Sequence, residues 1–516
     1  MEFYTRTTLT NEQKRMLTVE KPGVRFNYFY QAHPYLATER FYTPTGTYQN
    51  SENSTLVSNS ESLEICQVPT GLLEILGKVK KPETPEDFKN KISKLIDHYK
   101  PFEPYDFQIK AIQDALYTTN LLIRAATGSG KSLIISLICK ILTEMKLKGL
   151  ILVPNISLVN QFDADIESYG LEIDRMLIGG EHNSKLKNSE IMKNSTEVED
   201  IKNSDIIKPL TISTYQSLIR RKELLKEFDF LIIDECHKTK AKEIYEIAKA
   251  CSNTKYQIGL TGTIPQEKWD FLKVCSVFGM PRNYITPREL IDRGLGTNIK
   301  INVRKIQYNE KTPNCYDYAK ALDFLVKHNK RNELIVNLTR SLKGNTVILV
   351  SRNEHAHRLF HMLMPCKLDE KSYLDLVLQR NYNIYFMNGS TSGENREKIR
   401  NILENSETNN SQNPETNPIG LNSGKLNSVL ISNYQLMSTG INIKNLHNLI
   451  FASPLKSYIT ITQSLGRLIR THDSKTEVNV YDIADDFGVF RAQLRKRIKD
   501  CYEPQSYKID TVMEVF

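Results

Sequence analysis

Short apolar runs alternate with longer helix-forming stretches through most of the chain, and this alternation limits the folds that are available to it. The runs in the first half are NLLIRA, GLILVP, PLTIST, DFLIIDE and YQIGLTGT. Strands of a parallel sheet are covered by helices on both faces, so they read as continuous apolar runs. The alternation therefore predicts an α/β fold built on a parallel sheet.

The alternation begins again after about residues 285–297, with INVRKI, NTVILVS, NIYFMNG, NSVLISN, NLIFASP and VNVYDI. A chain of 516 residues is too long for one ordinary core, so two α/β units in tandem are the simplest architecture. Residues 281–298 contain proline and glycine and are predicted to link the two units. Residues 405–427 have almost no apolar side chains, which predicts a mobile insertion.

The first hundred residues have a different composition. Residues 24–43 are aromatic and β-branched in the manner of strands, and residues 80–87 form a polar connector before a short predicted helix. A small β-rich accessory module therefore precedes the two α/β units. We expect three domains, at residues 1–99, 100–285 and 286–516.

Composition excludes several classes of protein. A hydrophobic share of 40% and a charged share of 25% exclude a wholly disordered chain. The net charge of +9 is a mild basic excess that suits a polyanionic partner. The eight cysteines show neither a CxxC pair nor zinc-type spacing, which argues against a metal or disulfide framework and for a reduced, cytoplasmic compartment. No run approaches the ~18 apolar residues of a membrane helix, so no membrane partner is expected.

The segment AATGSGKS (125–132) lies between an apolar strand and a helix-forming run, which is the context of a phosphate-binding loop. The glycines allow backbone N–H groups to turn toward phosphates, and the following helix N-terminus adds partial positive charge. Lys131 would hold the β- and γ-phosphates, and Ser132 would ligate Mg²⁺. A glycine-serine turn that happens to contain a lysine is the alternative. The residues predicted to bind phosphate are Thr127, Gly128, Ser129, Gly130, Lys131 and Ser132.

The segment DFLIIDECH (229–237) ends a second buried strand in two acids and a histidine. Mg²⁺ prefers carboxylate oxygen, so Asp234 is the natural metal partner, directly or through water. Glu235 can accept a proton from, or orient, the water that attacks the γ-phosphate. An acidic strand end alone is usually a solvated turn. The phosphate loop upstream in the same unit favours the catalytic interpretation.

AATGSGKS, DECH, TGT (261–263) and QSLGRLIR (463–470), in this order across two α/β units, resemble the motifs of superfamily 2 helicases and translocases. The phrases SLVNQF, STYQSL and MNGSTSGENREKIRNILEN are similar to the phage UvsW-type recombination helicases. This resemblance covers about residues 100–485 and implies two tandem RecA-like domains that use ATP and Mg²⁺. Cys236 and Asn442 depart from the commoner Ala and Asp of the family, and TGT replaces the commoner SAT.

The resemblance assigns roles to three residues of the second unit. Arg467 and Arg470 would be arginine fingers that stabilise charge on the transferring phosphoryl group. Gln463 would lie near the γ-phosphate or the coupling path. Outside the QxxGRxxR pattern, two arginines one turn apart on a helix are mostly solvent-exposed residues without a functional role.

The resemblance also assigns adenine recognition and coupling within the first unit. Gln108 would bond the adenine edge, and Tyr105 would stack on the ring. His237 would link hydrolysis to Thr261 and Thr263 through polar contacts. A core aromatic at Tyr105 and a capping histidine at His237 are the alternatives.

Small side chains and backbone amides at strand ends are candidates for gripping the phosphates of a nucleic acid. The tail helix RAQLRKRIK (491–499) carries a basic stripe that is either a solvated face or a further phosphate contact. The strand-end candidates are Asn155, Ser157, Gly179, Gly180, Thr214, Tyr215, Gln216, Ser351, Arg352, Ser438, Thr439 and Gly440.

We therefore expect an ATP-dependent DNA helicase or translocase that unwinds or branch-migrates forks and Holliday junctions in recombination, repair and replication. Two alternatives remain open, an RNA or R-loop helicase and a duplex-DNA translocase subunit that does not unwind. The motifs do not separate these functions, because they grip phosphates more than sugars. DNA, branched or duplex, is the expected partner, with RNA as the alternative. We expect a monomer that works in the cytoplasm, which is the host's if the source is viral.

Overall fold

A computed structural model divides the chain into two compact units, the first comprising residues 1–125 and 130–285 and the second comprising residues 126–129 and 286–516. The predicted insertion at 405–427 lies outside the described part of the chain. The described residues are 4–9, 11–21, 24–28, 64–69, 72–80, 83–99, 103–179, 207–219, 222–237, 241–313, 317–364, 384–404, 428–439 and 443–516.

The first unit contains a parallel sheet of seven strands, β5 to β11, in the order β11-β5-β10-β9-β6-β8-β7. Its strands are β1 (Tyr4–Leu9), β2 (Thr18–Lys21), β3 (Val24–Tyr28), β4 (Glu64–Pro69), β5 (Asn120–Ala125), β6 (Gly149–Val153), β7 (Arg175–Ile178), β8 (Leu210–Thr214), β9 (Phe230–Ile233), β10 (Tyr256–Thr261) and β11 (Pro281–Ile285). Its helices are α1 (Asn11–Met16), α2 (Glu86–Ile96), α3 (Asp106–Thr118), α4 (Lys131–Glu144), α5 (Ile156–Ser168), α6 (Tyr215–Leu218), α7 (Ala241–Ala250) and α8 (Lys268–Phe278), with a 3-10 turn at Lys222–Glu227.

The second unit contains another parallel sheet of seven strands, in the order β14-β15-β13-β16-β17-β12-β18. Its strands are β12 (Asn298–Gln307), β13 (Thr346–Val350), β14 (Ile384–Met387), β15 (Val429–Asn433), β16 (Asn448–Phe451), β17 (Glu477–Asp485) and β18 (Lys508–Val515). Its helices are α9 (Pro287–Asp292), α10 (Tyr318–Lys327), α11 (Asn329–Ser341), α12 (Asn353–Leu363), α13 (Gly393–Glu404), α14 (Tyr434–Thr439), α15 (Tyr458–Leu468) and α16 (Gly488–Arg497), followed by a π-helical turn at Ile498–Tyr502 and a 3-10 turn at Glu503–Gln505.

The prediction of two tandem parallel-sheet units is confirmed, and the central strands explain why it succeeded. Every residue of β6 and of β13 is buried, as expected for strands covered on both faces. Full burial of one Val, Leu or Ile side chain stabilises a fold by roughly 1.5–3 kcal/mol. The continuous apolar runs in the sequence are therefore the cores of the two sheets.

Three strands of the two seven-stranded sheets were not predicted, and all three lie at sheet edges. β7 and β11 close the two ends of the first sheet, and β18 closes one end of the second. Edge strands have a partly exposed face, so they lack the continuous apolar run of a central strand. The predicted linker 281–298 contains the boundary between the two units at Ile285 and Thr286, but it is not irregular, because β11 pairs with β5 there and α9 follows it.

The N-terminal strands share a core with helix α8 of the first unit. Strands β1 and β4 form one antiparallel pair, and β2 and β3 form another. Leu9, Leu17 and Val68 are buried in one cluster with Leu272 and Cys275, which lie on α8. The β-rich module at the front of the chain is therefore packed as part of the first unit.

Two buried ion pairs fix the carboxyl half of β17. Nε and Nη2 of Arg331 donate to the two carboxylate oxygens of Asp485 at 2.8 and 3.0 Å. Arg497 binds Asp482 in the same bidentate manner at 2.8 and 2.9 Å. Fork geometry of this kind compensates part of the cost of removing both charges from water. Arg497 thus anchors the tail helix α16, whose exposed residues include Arg491 and Arg495.

A buried histidine on α12 is held in its neutral form. Nδ2 of Asn332 donates to the Val326 carbonyl at 2.9 Å, so its Oδ1 faces Nε2 of His355 at 3.0 Å and accepts the proton there. Nδ1 of His355 accepts from the Ser453 hydroxyl at 3.0 Å. Burial, together with the positive charges of Arg331 and Arg358, lowers the pKa of His355 to about 3.

This histidine makes the second unit sensitive to acid. The unfolded chain binds a proton at His355 below its ordinary pKa near 6.5, whereas the folded protein binds it only near 3, so stability is lost as pH falls between these values. The free energy of unfolding, from urea titrations, should fall by about 3 kcal/mol more from pH 6.5 to 4 in the wild type than in His355→Gln. The exposed His361→Gln is the matched control. Parallel pH dependence in wild type and His355→Gln would contradict this.

Candidate active site

The loops that carry the predicted chemistry of the first unit share one edge of its sheet. Because β5 to β11 run parallel, all their carboxyl ends meet at that edge. The phosphate loop follows β5, the acidic pair follows β9, and Thr261 ends β10. These three strands are neighbours in the order β5-β10-β9. Ligands of open parallel sheets bind at this edge.

The phosphate loop has the backbone conformation that its glycines predicted. Gly128 and Gly130 have φ values of +88° and +75°, which L side chains rarely adopt. A Cβ atom at Gly130 would also overlap Nε2 of Gln108. Helix α4 begins at the next residue, and Nζ of Lys131 donates to the Ala125 carbonyl at 3.2 Å. The loop therefore forms a cradle at a helix N-terminus, with the lysine beside it.

Gln108 lies against this cradle, at the start of α3. Its Oε1 accepts from the backbone N–H of Tyr105 at 2.9 Å, which turns its Nε2 toward Gly130. The Tyr105 ring is 49% exposed and stacks on Phe107 with ring centroids 5.6 Å apart. The two residues predicted to recognise adenine are thus adjacent to each other.

Tyr169 was not predicted to belong to this site. Its hydroxyl lies 2.9 Å from Oγ of Ser132, the predicted magnesium ligand. The two residues are 37 positions apart, so no local pattern could have joined them. A hydrogen bond between the two hydroxyls therefore brings Tyr169 to the site.

The acidic pair is anchored to both neighbouring strands. The Asp234 N–H donates to the Leu152 carbonyl of β6 at 3.0 Å, and the Cys236 N–H donates to the Leu260 carbonyl of β10 at 3.1 Å. Glu235 between them has a φ of +48°, a conformation that costs a non-glycine residue roughly 1–2 kcal/mol. Burial and the two carboxylates raise the pKa of Cys236, whose thiol is fully buried and packs in the core.

The three predicted coupling residues form one polar network. The Thr261 hydroxyl donates to the Thr263 carbonyl at 2.7 Å, which leaves its Oγ1 free to accept from Nδ1 of His237 at 2.5 Å. Nδ1 also lies 3.3 Å from Oε2 of Glu235. The Thr263 N–H closes the network on Thr261 at 3.1 Å. A change in the contacts of the Glu235 carboxylate would therefore alter the hydrogen bonds of Thr261 at the end of β10.

The strand-end candidates of the first unit occupy the other half of the same edge. The strands that precede them are consecutive in the order β6-β8-β7. Oδ1 of Asn155 caps α5 by accepting from the Leu158 N–H at 3.0 Å, and Thr214 Oγ1 lies 2.9 Å from Ser217 Oγ. Gly180 lies outside the described residues. Asn155 and Ser157 follow β6, Gly179 follows β7, and Thr214, Tyr215 and Gln216 lie at the end of β8.

The prediction for Tyr215 is restricted to its backbone, because its side chain is buried. Its side chain is only 2% exposed, and its hydroxyl donates to the Asp234 carbonyl at 3.1 Å. A buried ring with its hydroxyl engaged does not offer a side-chain contact to a ligand. Tyr215 instead joins the end of β8 to the acidic strand end of β9.

The candidates of the second unit lie at the carboxyl edge of its own sheet. Ser351 and Arg352 follow β13, and Ser438 and Thr439 close helix α14, which follows β15. Nη1 of Arg352 donates to Asp323 at 3.3 Å, which holds the guanidinium against α10. Gly440 lies outside the described residues. The turn 388–392 after the neighbouring strand β14 adds two hydroxyls, at Ser390 and Thr391, that were not predicted as contacts.

The arginines lie at the opposite edge of that sheet. Helix α15 begins after β16, carries Gln463 and Arg467, and ends two residues before Arg470. The Thr297 N–H donates to the Ile469 carbonyl at 2.7 Å, and Thr297 immediately precedes the first residue of β12. Arg467 and Arg470 are therefore at the amino edge, about one helix length from the strand-end candidates.

The donor set around the phosphate loop fits a magnesium nucleotide. Mg²⁺ is usually held by one or two carboxylates together with substrate phosphates and water. Ser132 supplies one hydroxyl and Asp234 supplies one carboxylate, and the positive φ values of Gly128 and Gly130 shape the loop between β5 and α4. Within the part of the chain that the structure describes, three or more His, Cys, Asp or Glu side chains nowhere cluster closely enough to hold a metal. None of the described helices is both long and apolar enough to span a bilayer.

A glycine cradle on a central parallel strand, with an aspartate two strands away, defines a P-loop nucleoside triphosphatase. Residues 101–266 match the family model described as type III restriction enzyme, res subunit. The chain is 26% identical over 413 residues to the ATP-dependent DNA helicase uvsW of Enterobacteria phage T4, covering 78% of this chain and 73% of that one. The chain is similar to the helicases of superfamily 2, and it is an ATP-driven enzyme of the helicase class.

Two solved structures share the fold. The ATP-dependent type ISP restriction-modification enzyme LlaBIII bound to DNA is 17% identical with a TM-score of 0.53, covering 81% of this chain and 32% of that one. S. cerevisiae Dbp5 bound to RNA and ADP BeF3 is 14% identical with a TM-score of 0.52, covering 84% of this chain and 96% of that one. Both support the tandem RecA-like architecture.

The cradle predicts a sharp difference between two glycines of left-handed conformation. Gly130→Ala should weaken binding of a fluorescent ADP analogue at least roughly tenfold, because its Cβ would displace Gln108 as well as strain the backbone. Gly170, with a φ of +62°, has nothing within 4 Å of its Cβ position. Gly170→Ala should therefore introduce backbone strain without a steric overlap. We expect it to lower the unfolding temperature and to leave the nucleotide affinity unchanged. Equal affinities in the two variants would refute the cradle.

Proposed function

We propose that the chain is an ATP-dependent DNA helicase or translocase that unwinds or branch-migrates forks and Holliday junctions in recombination, repair and replication. One observation carries the proposal most directly. Strands β5, β10 and β9 carry the predicted nucleotide-binding residues, and the adjacent strands β6, β8 and β7 carry the strand-end candidates at the same sheet edge. The hydrogen bond from Tyr215 to Asp234 joins these two halves of the edge. Similarity to a phage DNA helicase supports DNA as the substrate. The resemblance to recombination helicases supports branched forms.

The chain's own groups divide the work of hydrolysis. When bound, ATP would supply the phosphoryl group that is transferred to water, and Mg²⁺ would neutralise charge on its phosphates. Lys131 and the loop N–H groups would bind the phosphates, and Ser132 and Asp234 would hold the cation. Glu235 orients the attacking water and accepts its proton. We assign Arg467 and Arg470 to stabilise the charge that develops on the transferring group.

Two short paths support coupling between hydrolysis and movement. His237 joins Glu235 to Thr261 and Thr263, and Tyr215 joins Asp234 to the end of β8. A ligand shifts a conformational equilibrium only through different contacts in the two states. The nucleotide state would change the contacts at Asp234 and Glu235, and these paths would carry that change to the strand-end residues.

The proposal includes the surroundings in which the enzyme works. In the described part of the chain, Cys139, Cys236, Cys251, Cys275 and Cys501 are free thiols, which agrees with a reduced cytoplasm. For a viral chain this is the host's cytoplasm. We propose that the active species is a monomer.

The catalytic assignment predicts the loss of one activity without loss of the fold. Lys131→Ala and Glu235→Gln should each lower DNA-stimulated ATP hydrolysis by at least roughly 10²-fold, because phosphate binding and proton transfer are removed. The exposed Lys110→Ala and Glu103→Gln are the matched controls. Circular dichroism should be unchanged in all four variants. Normal turnover in Lys131→Ala or Glu235→Gln would defeat the assignment.

The substrate assignment is tested by comparing structures side by side. A DNA fork, a Holliday junction, an RNA duplex and a DNA triplex are each incubated with enzyme and ATP, and the products are separated on native gels. The fork and the junction should be resolved, with stimulated ATP hydrolysis. Activity confined to the RNA duplex would establish an RNA helicase instead. Triplex displacement without fork or junction resolution would establish a translocase that does not unwind.

A further inference from the structure

The C-terminal end of α15 is held by one segment distant in sequence, at Thr297, and by a lysine seven residues downstream of Leu468. Nζ of Lys475 donates to the Leu468 carbonyl at 3.0 Å. The Thr297 N–H donates to the Ile469 carbonyl at 2.7 Å, and the Thr297 hydroxyl donates to the Arg470 carbonyl at 3.3 Å. The last carbonyls of a helix have no partner within the helix, so such ends usually fray. Here three consecutive carbonyls are each bonded.

Close packing reinforces these bonds. Gly296 approaches the same segment so closely that a Cβ atom there would lie 2.6 Å from Cγ2 of Ile469. Ile469 is itself buried in the core of the second unit, together with Leu468. The main chain at 468–470 is therefore fixed from two sides.

Lys475 is an unusual residue for this position. It is 7% exposed, and its ammonium group also donates to the Leu446 carbonyl at 3.3 Å. Burial lowers the pKa of Lys475, the charge of Glu404 opposes this shift and the charge of Arg470 adds to it, and the resulting pKa is about 8. A buried ammonium group is costly for stability, and an apolar side chain of similar volume often replaces one without loss. Stability alone therefore does not account for this lysine.

We propose that Lys475 and Thr297 are positioning residues that fix the main chain from which Arg467 and Arg470 project. This inference rests on the proposed role of the two arginines in ATP hydrolysis. An arginine that stabilises a developing charge must be in place before the reaction, because a misplacement of about 1 Å can cost roughly 10²-fold in rate. The two residues supply that precision through backbone carbonyls, without touching the nucleotide.

The test uses two conservative variants of the full-length chain. Lys475→Met keeps the side-chain stem and removes the ammonium group, and Thr297→Val keeps the shape and removes one hydrogen bond. DNA-stimulated kcat should fall roughly 10- to 100-fold in Lys475→Met and less in Thr297→Val. The KM for ATP and the affinity for a fluorescent ADP analogue should change less than about threefold. Lys343→Met, an exposed lysine of the same unit, should match the wild type.

A double-mutant cycle with Arg470→Ala separates positioning from a general structural role. If Lys475 acts through Arg470, adding Lys475→Met to Arg470→Ala should lower kcat by less than about twofold further. A full additional loss in the double variant would overturn the inference. A wild-type kcat in Lys475→Met, together with a lowered kcat in Arg470→Ala, would also overturn the inference. In that case the proposed role of Arg470 itself would be retained. A wild-type kcat in Arg470→Ala would instead defeat the proposed role of that arginine.

Thermal unfolding of each variant is measured alongside the kinetics. If Lys475→Met does not fold, Thr297→Val takes its place in the cycle, because the Thr297 N–H bond to Ile469 is retained there. A Thr297→Val variant with wild-type kcat would then overturn the inference. A lower kcat that disappears in the Arg470→Ala background would support it.

Discussion

Parallel strand direction is the constraint on which the proposed enzyme depends. It brings the carboxyl ends of β5 to β11 to one edge, whatever their separation in the chain. Strand order then decides what lies beside what. The chain visits β6, β7 and β8 between β5 and β9, yet the sheet places β10 between β5 and β9 and groups the other three together. Nucleotide chemistry and strand-end candidates are thus separated into halves that meet where β9 pairs with β6.

Local patterns were sufficient for the central strands and for the phosphate loop. AATGSGKS carries its own conformational requirement in Gly128 and Gly130, and continuous apolar runs identify buried strands without knowledge of their neighbours. Edge strands such as β11 lack that signal. Contacts that depend on strand order were also beyond sequence reasoning, and the bonds of Tyr169 to Ser132 and of Tyr215 to Asp234 are examples. The roles of the arginines stay predictions that rest on resemblance.

The conformation of Glu235 shows how the sheet supports its own chemistry. A left-handed glutamate is unfavourable by itself, but the flanking N–H groups of Asp234 and Cys236 are bonded to β6 and β10 on either side. The sheet compensates for the local strain and gives the carboxylate a direction that an ordinary extended residue would not have. The same carboxylate lies 3.3 Å from Nδ1 of His237. The left-handed conformation of Glu235 therefore sets both the direction of its carboxylate and the contact of that carboxylate with the coupling residue His237.

Helix α15 joins the two edges of the second sheet with a fixed number of residues. It begins after β16, is 11 residues long and carries Arg467 in its last turn, and Thr297 and Lys475 bind the main chain just beyond. A helix turns about 100° per residue, so insertion of a single residue would place the Arg467 guanidinium on a different face of the helix. Substitutions on the outer surface of α15 are therefore tolerated, whereas insertions or deletions within the helix are not.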